Sequence, residues 1–342
     1  MTTTKTTTTK QAAPFRILIP LAALVTVAVL LTLPAFSWLP QLVSSSGGTQ
    51  VVRWDFSAFP VRWDLNPAVG ANISGARSVA EVAQASFSTW LGAPNAALAV
   101  SRGPDSSDTS AGFNAGASNN TNLVCFVCQG DFSRDSQTLA VTITTMADGS
   151  GGADGHGGHT RFAGQLLDGD ILFNPSDNFS TGTGGSGQDL QTVATHEIGH
   201  FFGLDHSGVV RAMMFPFAPD SQQTLGYDDV AGVASAYPKS SPDVATGVIS
   251  GTVRFAGGAG VFGAHVFAQS NTGNTPIGGI RKTPIGAMSL PDGTYQIKGV
   301  PADSYIIVAE PLDDPVGNGD IADFARVLNQ ASVQTNFTTR WH

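Results

Sequence analysis

The spacing of hydrophobic and polar positions changes several times along the first two thirds of the chain, and each change predicts a new element. Residues 51–67 (VVRWDFSAFPVRWDLNP) alternate between apolar and polar positions, which predicts a strand that closes at the Asn-Pro pair. From Ser78 to Leu91 the apolar residues instead recur at a helical spacing. Three short apolar runs predict further strands: ALAVSRG (97–103), NLVCFV (122–127) and LAVTITTM (139–146).

A second region with its own strand pattern follows a polar stretch. PKSSPDVATG (238–247) is rich in Pro and Ser, and we place a linker at residues 239–246. Short alternating runs divided by glycines then predict a small all-β sandwich over residues 247–312. The tail, residues 313–342, has helical character around 321–328. Because each side of the linker carries its own pattern, we expect two separate cores and few contacts between them.

An uncharged apolar run at residues 17–33 follows three basic residues near the N-terminus. This layout, with small residues at Ala35 and Ser37 for cleavage, predicts a secretory signal within residues 1–37. The run is nearly as long as a membrane span, so an uncleaved anchor over residues 17–36 is the alternative. Both interpretations place the rest of the chain, beginning with a linker at 38–50, outside the cytoplasm.

Composition agrees with an exported β-rich protein and excludes one class of partner. Of 342 residues, 42% are hydrophobic and only 13% are charged, which is enough apolar content for folded cores. The net charge of −9 and the lack of a basic cluster argue against nucleic acid as a partner. The two cysteines, Cys125 and Cys128, are most simply a local disulfide in an exported chain. A metal site at this pair would need further ligands nearby, and the alternative is a cysteine that reaches a catalytic metal as an inhibitor.

The run HEIGHFFGLDH (196–206) carries the chemistry of a metal site. On a helix, His196 and His200 project from one face and can share one metal ion. Glu197 lies beside them, where a carboxylate can act on water at the metal without being a ligand. Gly203 can adopt the left-handed conformation that ends a helix, which would bring His206 back as a third ligand. Three ligands and one open position are typical of a catalytic zinc site.

HExxHxxGxxH followed by a methionine is the signature of the metzincin metallopeptidases. Because Ser207 follows the third histidine, and HSGVVRAMMFP (206–216) leads to the methionine, the chain resembles the matrixin branch over residues 51–238. The resemblance implies an α+β domain in which a twisted, mostly parallel sheet carries an active-site helix and a C-terminal helix. It also implies Met214 below the three imidazoles, with Met213 as the alternative register, and Pro216 and Phe217 as walls of the substrate pocket.

Two further segments resemble matrixin elements. LLDGDILFNPS (166–176) resembles the strand above the active-site cleft, whose exposed edge would pair with a substrate peptide. TLGYDDVAGVASAYP (224–238) resembles the closing helix, with Asp228 and Asp229 in its first turn.

Departures from the matrixin pattern concern additional metals. Leu172 stands where vertebrate matrixins have a histidine for a structural zinc, so we expect one zinc ion per chain. His156 and His159 lie in a Gly-rich loop that we interpret as solvated, with a weak metal contact as the alternative. Calcium is a second candidate cation because oxygen-bearing side chains cluster in the sequence, without EF-hand spacing, at Asp168, Asp170, Asn174 and Asp177.

The C-terminal region resembles a known accessory module. ISGTV, GAHVFA, DGTYQIKGVPA and SYIIVAEP are similar to segments of the carboxypeptidase-regulatory, transthyretin-like fold over residues 247–312. The resemblance implies no catalytic residues there, and His265 is expected to be a strand residue with local partners.

Together these features predict an exported zinc endopeptidase that acts on proteins or peptides, with Glu197 as general base and then general acid. The number of subunits is not predicted. The alternative is a non-catalytic surface protein that uses the metzincin domain as a scaffold and the sandwich for binding. Loss of Glu197 or of a ligand would mark this alternative, and the sequence retains them all.

Overall fold

The computed structural model describes residues 39–130, 132, 138–217, 221–272, 280, 282–312, 316–317 and 320–342. The predicted signal or anchor lies outside these ranges, within which no helix is long and apolar enough to cross a membrane. The elements of the N-terminal part (residues 39–239) are, in chain order, β1 (Leu42–Ser45), β2 (Gly48–Val51), β3 (Val61–Asn66), β4 (Ile73–Ser74), α1 (Val79–Leu91), β5 (Val100–Asp105), β6 (Asn122–Cys125), β7 (Ala140–Met146), β8 (Leu166–Phe173), β9 (Phe179–Ser180), β10 (Gln188–Asp189), α2 (Leu190–Phe201) and α3 (Tyr227–Ala236).

A five-stranded sheet in the order β5-β3-β6-β8-β7 forms the centre of the N-terminal part. Its strands run parallel except for β7, which pairs antiparallel with β8. The predicted α+β fold with a mostly parallel sheet is therefore confirmed. The expectation for LLDGDILFNPS is wrong, because this run forms β8, whose two sides are occupied by β6 and β7. The edge strand next to β8 is β7, and β5 forms the opposite edge of the sheet.

Aromatic side chains fix the two long helices to the sheet and to each other. Helix α1 begins at Ser78, whose hydroxyl and the Glu81 carboxylate form a reciprocal capping box. The ring of Trp63 on β3 stacks on Phe87 of α1, with 4.5 Å between ring centroids. Trp90 Nε1 donates a hydrogen bond of 2.7 Å to the Thr195 carbonyl of α2. Helix α2, which carries two predicted ligands, is thereby held in the core.

The segment before α1 differs from its prediction. The stretch expected to be a linker contains a hairpin, β1 and β2, with Leu42 opposite Val51. The alternating run from Val51 is not one strand, because the Asp55 side chain accepts the backbone N–H of Ser57 and starts a short turn. The strand β3 begins only at Val61.

The elements of the C-terminal part (residues 240–342) are β11 (Thr246–Thr252), β12 (His265–Ser270), β13 (Ile285–Met288), β14 (Thr294–Pro301), β15 (Tyr305–Glu310), α4 (Ala322–Val327) and β16 (Arg340–Trp341). They form two small sheets, one pairing β11 with β14 and one in the order β13-β12-β15-β16. Buried apolar side chains from both sheets share a core around Val266 and Ile297, neither of which is exposed to solvent. The predicted β-rich region is present, while its relationship to the transthyretin-like module remains a prediction.

The two parts make extensive contact, contrary to the expectation of few contacts across the linker. Tyr227 and Ala231 of α3 belong to the apolar core of the sandwich. The backbone N–H of Tyr227 donates to the Thr283 hydroxyl at 2.8 Å, and Gly286 N–H donates to the buried Asp228 carboxylate at 2.7 Å. The physical reason is that α3 is apolar around most of its circumference, so it needs a partner on the side that faces away from the sheet.

Candidate metal centre

Helix α2 and the turn that follows it bring the three predicted ligands together. The Asp189 side chain caps the helix by accepting the backbone N–H of Thr192. The rings of His196 and His200 lie on one face, with centroids 4.9 Å apart. Gly203 has a φ of 82°, as predicted for the left-handed residue at the end of the helix. The chain then returns, and the His206 ring centroid lies 4.9 Å from that of His200 and 5.3 Å from that of His196.

The donor set of the three histidines fits one zinc ion. Each Nδ1 donates to a backbone carbonyl. His196 donates to Met213 at 2.7 Å, His200 to Leu204 at 2.8 Å, and His206 to Asp320 at 3.2 Å. This tautomer leaves Nε2 of each ring as the available ligand atom, and the three ligand nitrogens lie within 4.8 Å of one another. Burial lowers all three pKa values, that of His196 to about 3, so the rings are neutral as metal binding requires.

Glu197 lies beside this cluster and is almost entirely buried. The hydroxyl of Thr142, on the edge strand β7, donates to Glu197 Oε2 at 2.7 Å and lies 3.0 Å from the backbone oxygen of the same residue. Burial raises the pKa of the Glu197 carboxyl to about 7, while the hydrogen bond from Thr142 opposes this shift. The carboxylate is therefore positioned from two elements, α2 and β7.

Met213 and Met214, the two methionines predicted for the site, lie in a turn, and Met214 packs against helix α2. The Asp229 carboxylate accepts the backbone N–H groups of Met213 and Met214 at 2.7 and 3.0 Å. Met214 is buried against Gly199, the helix residue next to His200, where a Cβ would overlap its sulfur atom. The only side chain that fits at position 199 is therefore hydrogen, because Met214 occupies the space beneath the helix.

Two cavities of about 380 and 570 Å³ flank the cluster, and both contain Glu197 and His206 in their walls. The larger one is also lined by Pro216 and Phe217, so the structure places these two predicted pocket residues beside the site. The cleft is bordered by β7, which contributes Ala140 to both cavities. The sequence analysis instead expected the exposed edge at LLDGDILFNPS, which forms β8.

The remaining candidate ligands do not join the histidine cluster. Among the described residues, no second group of three His, Cys, Asp or Glu side chains lies within metal-binding reach. His156 Nε2 instead contacts the Leu167 carbonyl at 2.9 Å, and Leu172 is buried in β8. The Asp170 carboxylate accepts the backbone N–H groups of Gly112 and Leu123. Calcium at the predicted acidic residues therefore stays a prediction.

Cys125 and Cys128 form the local disulfide that was the favoured interpretation of the CxxC pair. His265 Nδ1 donates a hydrogen bond of 3.0 Å to the Glu310 carboxylate, so it has the local partner expected of a strand residue.

Sequence reasoning missed three contributors to the site. Thr142 is one of several hydroxyl residues on its strand, and nothing in the alternation distinguishes it. Asp228 was noted only for its place in the first turn of α3, yet its carboxylate accepts from the Ser207 hydroxyl at 2.6 Å and so holds the residue after His206. Asp320 acts through its carbonyl, which carries no sequence signal.

The segment that carries the site is similar to known proteins. Residues 140–238, which contain all of the predicted site residues, match the sequence profile of the family described as Matrixin. Karilysin of Tannerella forsythia is 39% identical over 90 residues, which make up 26% of this chain and 19% of karilysin. The hatching enzyme of Paracentrotus lividus is 40% identical over 92 residues, or 26% of this chain and 15% of that protein. Matrilysin of Rattus norvegicus is 37% identical over 119 residues, or 32% of this chain and 44% of matrilysin. The matched stretches thus span less than half of each relative.

Proposed function

We propose, from the premise that residues 140–238 form a matrixin-like metzincin domain, that this chain is an exported zinc-dependent endopeptidase. The observation that carries the proposal is the convergence of three neutral histidines, with Nε2 free on each ring, next to a buried glutamate in an open cleft. His196, His200 and His206 would hold the ion. When bound, zinc acts as a Lewis acid that polarises the scissile carbonyl and lowers the pKa of water at the site.

Glu197 would move the proton in this reaction. Its carboxylate takes a proton from the attacking water and later delivers it to the leaving amine, so the same group acts first as base and then as acid. The Thr142 hydroxyl holds Oε2, which leaves Oε1 for the water. Met214, which is buried against Gly199 between the two helical ligands, would form the floor beneath their rings.

The substrate would be an extended segment of a protein or peptide. Strand β7 lies at the edge of the sheet beside the cleft, and an edge strand offers unpaired backbone groups for strand addition. Pro216 and Phe217 would wall the pocket for the side chain that follows the scissile bond, because both line the larger cavity. Export is supported by the sequence layout of residues 1–37 and by the Cys125–Cys128 disulfide, which is typical of oxidising compartments.

The test uses the purified full-length chain and measures metal content and proteolysis together. Elemental analysis should give one zinc ion per chain, and an unstructured protein should be cleaved, with activity lost on chelation and restored by zinc. His206→Ala should lose tightly bound zinc. The double variant His156→Ala/His159→Ala is the matched control, because it removes two histidines outside the cluster, and it should retain the ion. A chain that binds zinc but cleaves nothing in a broad peptide library would contradict the proposal and favour a scaffold role.

A further inference from the structure

The three histidines of the metal centre differ in where their carbonyl partners come from. His196 and His200 bond the carbonyls of Met213 and Leu204, which lie within 17 residues of them along the chain. His206 instead bonds the carbonyl of Asp320, which is 114 residues away in the C-terminal tail. The tail therefore reaches the metal centre of the other part of the molecule.

The tail is anchored beside the site by buried apolar groups. Ile321, directly after Asp320, has no exposed surface, and Phe324 of α4 is 2% exposed. The Phe324 ring stacks on Phe262 with 5.5 Å between centroids and nearly parallel planes. The same apolar cluster contains Phe215, which follows Met214 at the methionine turn. The position of Asp320 is thus set by packing against both parts of the molecule.

A reciprocal pair of hydrogen bonds joins Gly317 to Asp320, the residue that presents the carbonyl. Gly317 N–H donates to the Asp320 carboxylate at 2.8 Å, and Asp320 N–H donates back to the Gly317 carbonyl at 3.1 Å. Asp320 also lines the larger cavity together with Pro216 and Phe217. Asp320 therefore lies at the rim of the cleft, and its own carboxylate is engaged by Gly317.

We propose that the C-terminal tail is a positioning element of the metal centre, in which the Asp320 carbonyl holds the His206 ring with Nε2 directed at the ion. A metal-bound histidine needs an acceptor for its other ring N–H, and losing that acceptor commonly costs ~10–100-fold in metal affinity. Zinc affinity then depends on a segment outside the matrixin match. This inference rests on the proposed zinc site, which the metal content of the wild-type chain tests separately.

The first experiment loosens the anchor without touching a ligand. Phe324→Ala in the full-length chain removes the stack on Phe262 and should weaken zinc binding by ~10-fold or more, measured by competition with a chromogenic chelator. Ile297→Ala is the matched control, since it truncates an equally buried side chain in the sandwich core, in a cluster that contains neither Ile321 nor Phe324. The visible spectrum of the cobalt-substituted protein should change in Phe324→Ala and not in Ile297→Ala. Equal zinc affinities in these two variants and the wild type would overturn the proposal.

The second experiment substitutes Asp320, which is half-buried, so the substitution should not prevent folding. Asp320→Ala removes the acceptor for Gly317 N–H and should weaken zinc binding ~10-fold, while Asp320→Asn keeps an acceptor oxygen and should bind zinc as the wild type does. If Asp320→Asn binds zinc as weakly as Asp320→Ala, the negative charge of Asp320 acts on the site rather than its hydrogen bond with Gly317. The positioning role would then be wrong. If the wild-type chain holds no zinc, the proposed function fails instead.

Discussion

The metal centre has a near side and a far side, and they are built differently. On the near side, His196 and His200 sit on one helix, and their supports come from the turn and the methionine loop that follow it. On the far side, the stretch around His206 depends on Asp228 through Ser207, and on the Asp320 carbonyl. Asp228 in turn receives Gly286 N–H from the sandwich. A short motif therefore encodes only the near side, and the C-terminal part supplies much of the far side.

The largest effect is expected from a substitution in the helix that carries the near side. Glu197→Ala removes the proton carrier but no ligand, so the chain should keep its zinc while proteolysis falls by ~10³-fold or more. Cleavage of an unstructured protein and elemental analysis on the same sample check both halves of this statement. Glu310→Ala, which removes another of the chain's glutamates from the sandwich, is the control and should cleave normally. Near wild-type cleavage by Glu197→Ala would show that the proposed mechanism is wrong.

The next largest effect is expected from a shortened chain that lacks the C-terminal contributions to the far side. A chain that ends at Lys239 lacks the partners of Tyr227, Ala231 and Phe215, which lie in cores shared with the C-terminal part. It also leaves the buried Asp228 carboxylate without its donor at Gly286. We expect this shortened chain to be poorly soluble or to hold zinc weakly, as judged by size-exclusion chromatography and chelator competition. A soluble shortened chain with wild-type activity would show instead that the two parts are energetically independent.

The contrast between the two sides also explains what the sequence could reveal. The near side was predictable because helical spacing, the left-handed Gly203 and the following methionine are local features with strong physical signatures. The capped helix α1 was predictable for the same reason. The edge position of β7 was not, because alternation indicates a strand but not its neighbours. The contact between Asp320 and His206 was not either, since a backbone carbonyl is present at every residue.

A smaller effect tests one connection within the far side. Asp228→Ala leaves the Ser207 hydroxyl and Gly286 N–H without their buried acceptor, and should lower the free energy of unfolding by ~1–3 kcal/mol. Asp228→Asn keeps an oxygen acceptor and should lose less. Urea unfolding of the full-length chain measures both. The control is Asp243→Ala, which removes an exposed ion pair with Lys239 and an exposed hydrogen bond from Asn95 N–H, and should change stability by less than ~1 kcal/mol. Equal stabilities of Asp228→Ala and Asp243→Ala would show that this connection contributes little.

The smallest effect compares Asp228 with Asp168, a second buried carboxyl that has no hydrogen-bond donor among the described residues. Burial, together with the charge of Asp170, raises the pKa of Asp168 from 3.8 to about 8. The folded chain therefore keeps a proton that the unfolded chain releases above pH 4. The stability from this group is complete below pH 4 and is lost as the pH rises toward 8, by at most ~1.4 kcal/mol per pH unit. Asp168→Asn should remove this slope and stabilise the protein at pH 7. Burial also raises the pKa of Asp228, to about 7, but the Ser207 hydroxyl and Gly286 N–H donate to its carboxylate and oppose that shift, so Asp228→Asn should not stabilise the protein. Urea unfolding of the wild type and of Asp168→Asn at pH 5, 6, 7 and 8 measures how the free energy of unfolding depends on pH. A pH dependence that is unchanged in Asp168→Asn would mean that Asp168 is ionised in the folded chain and has found a partner.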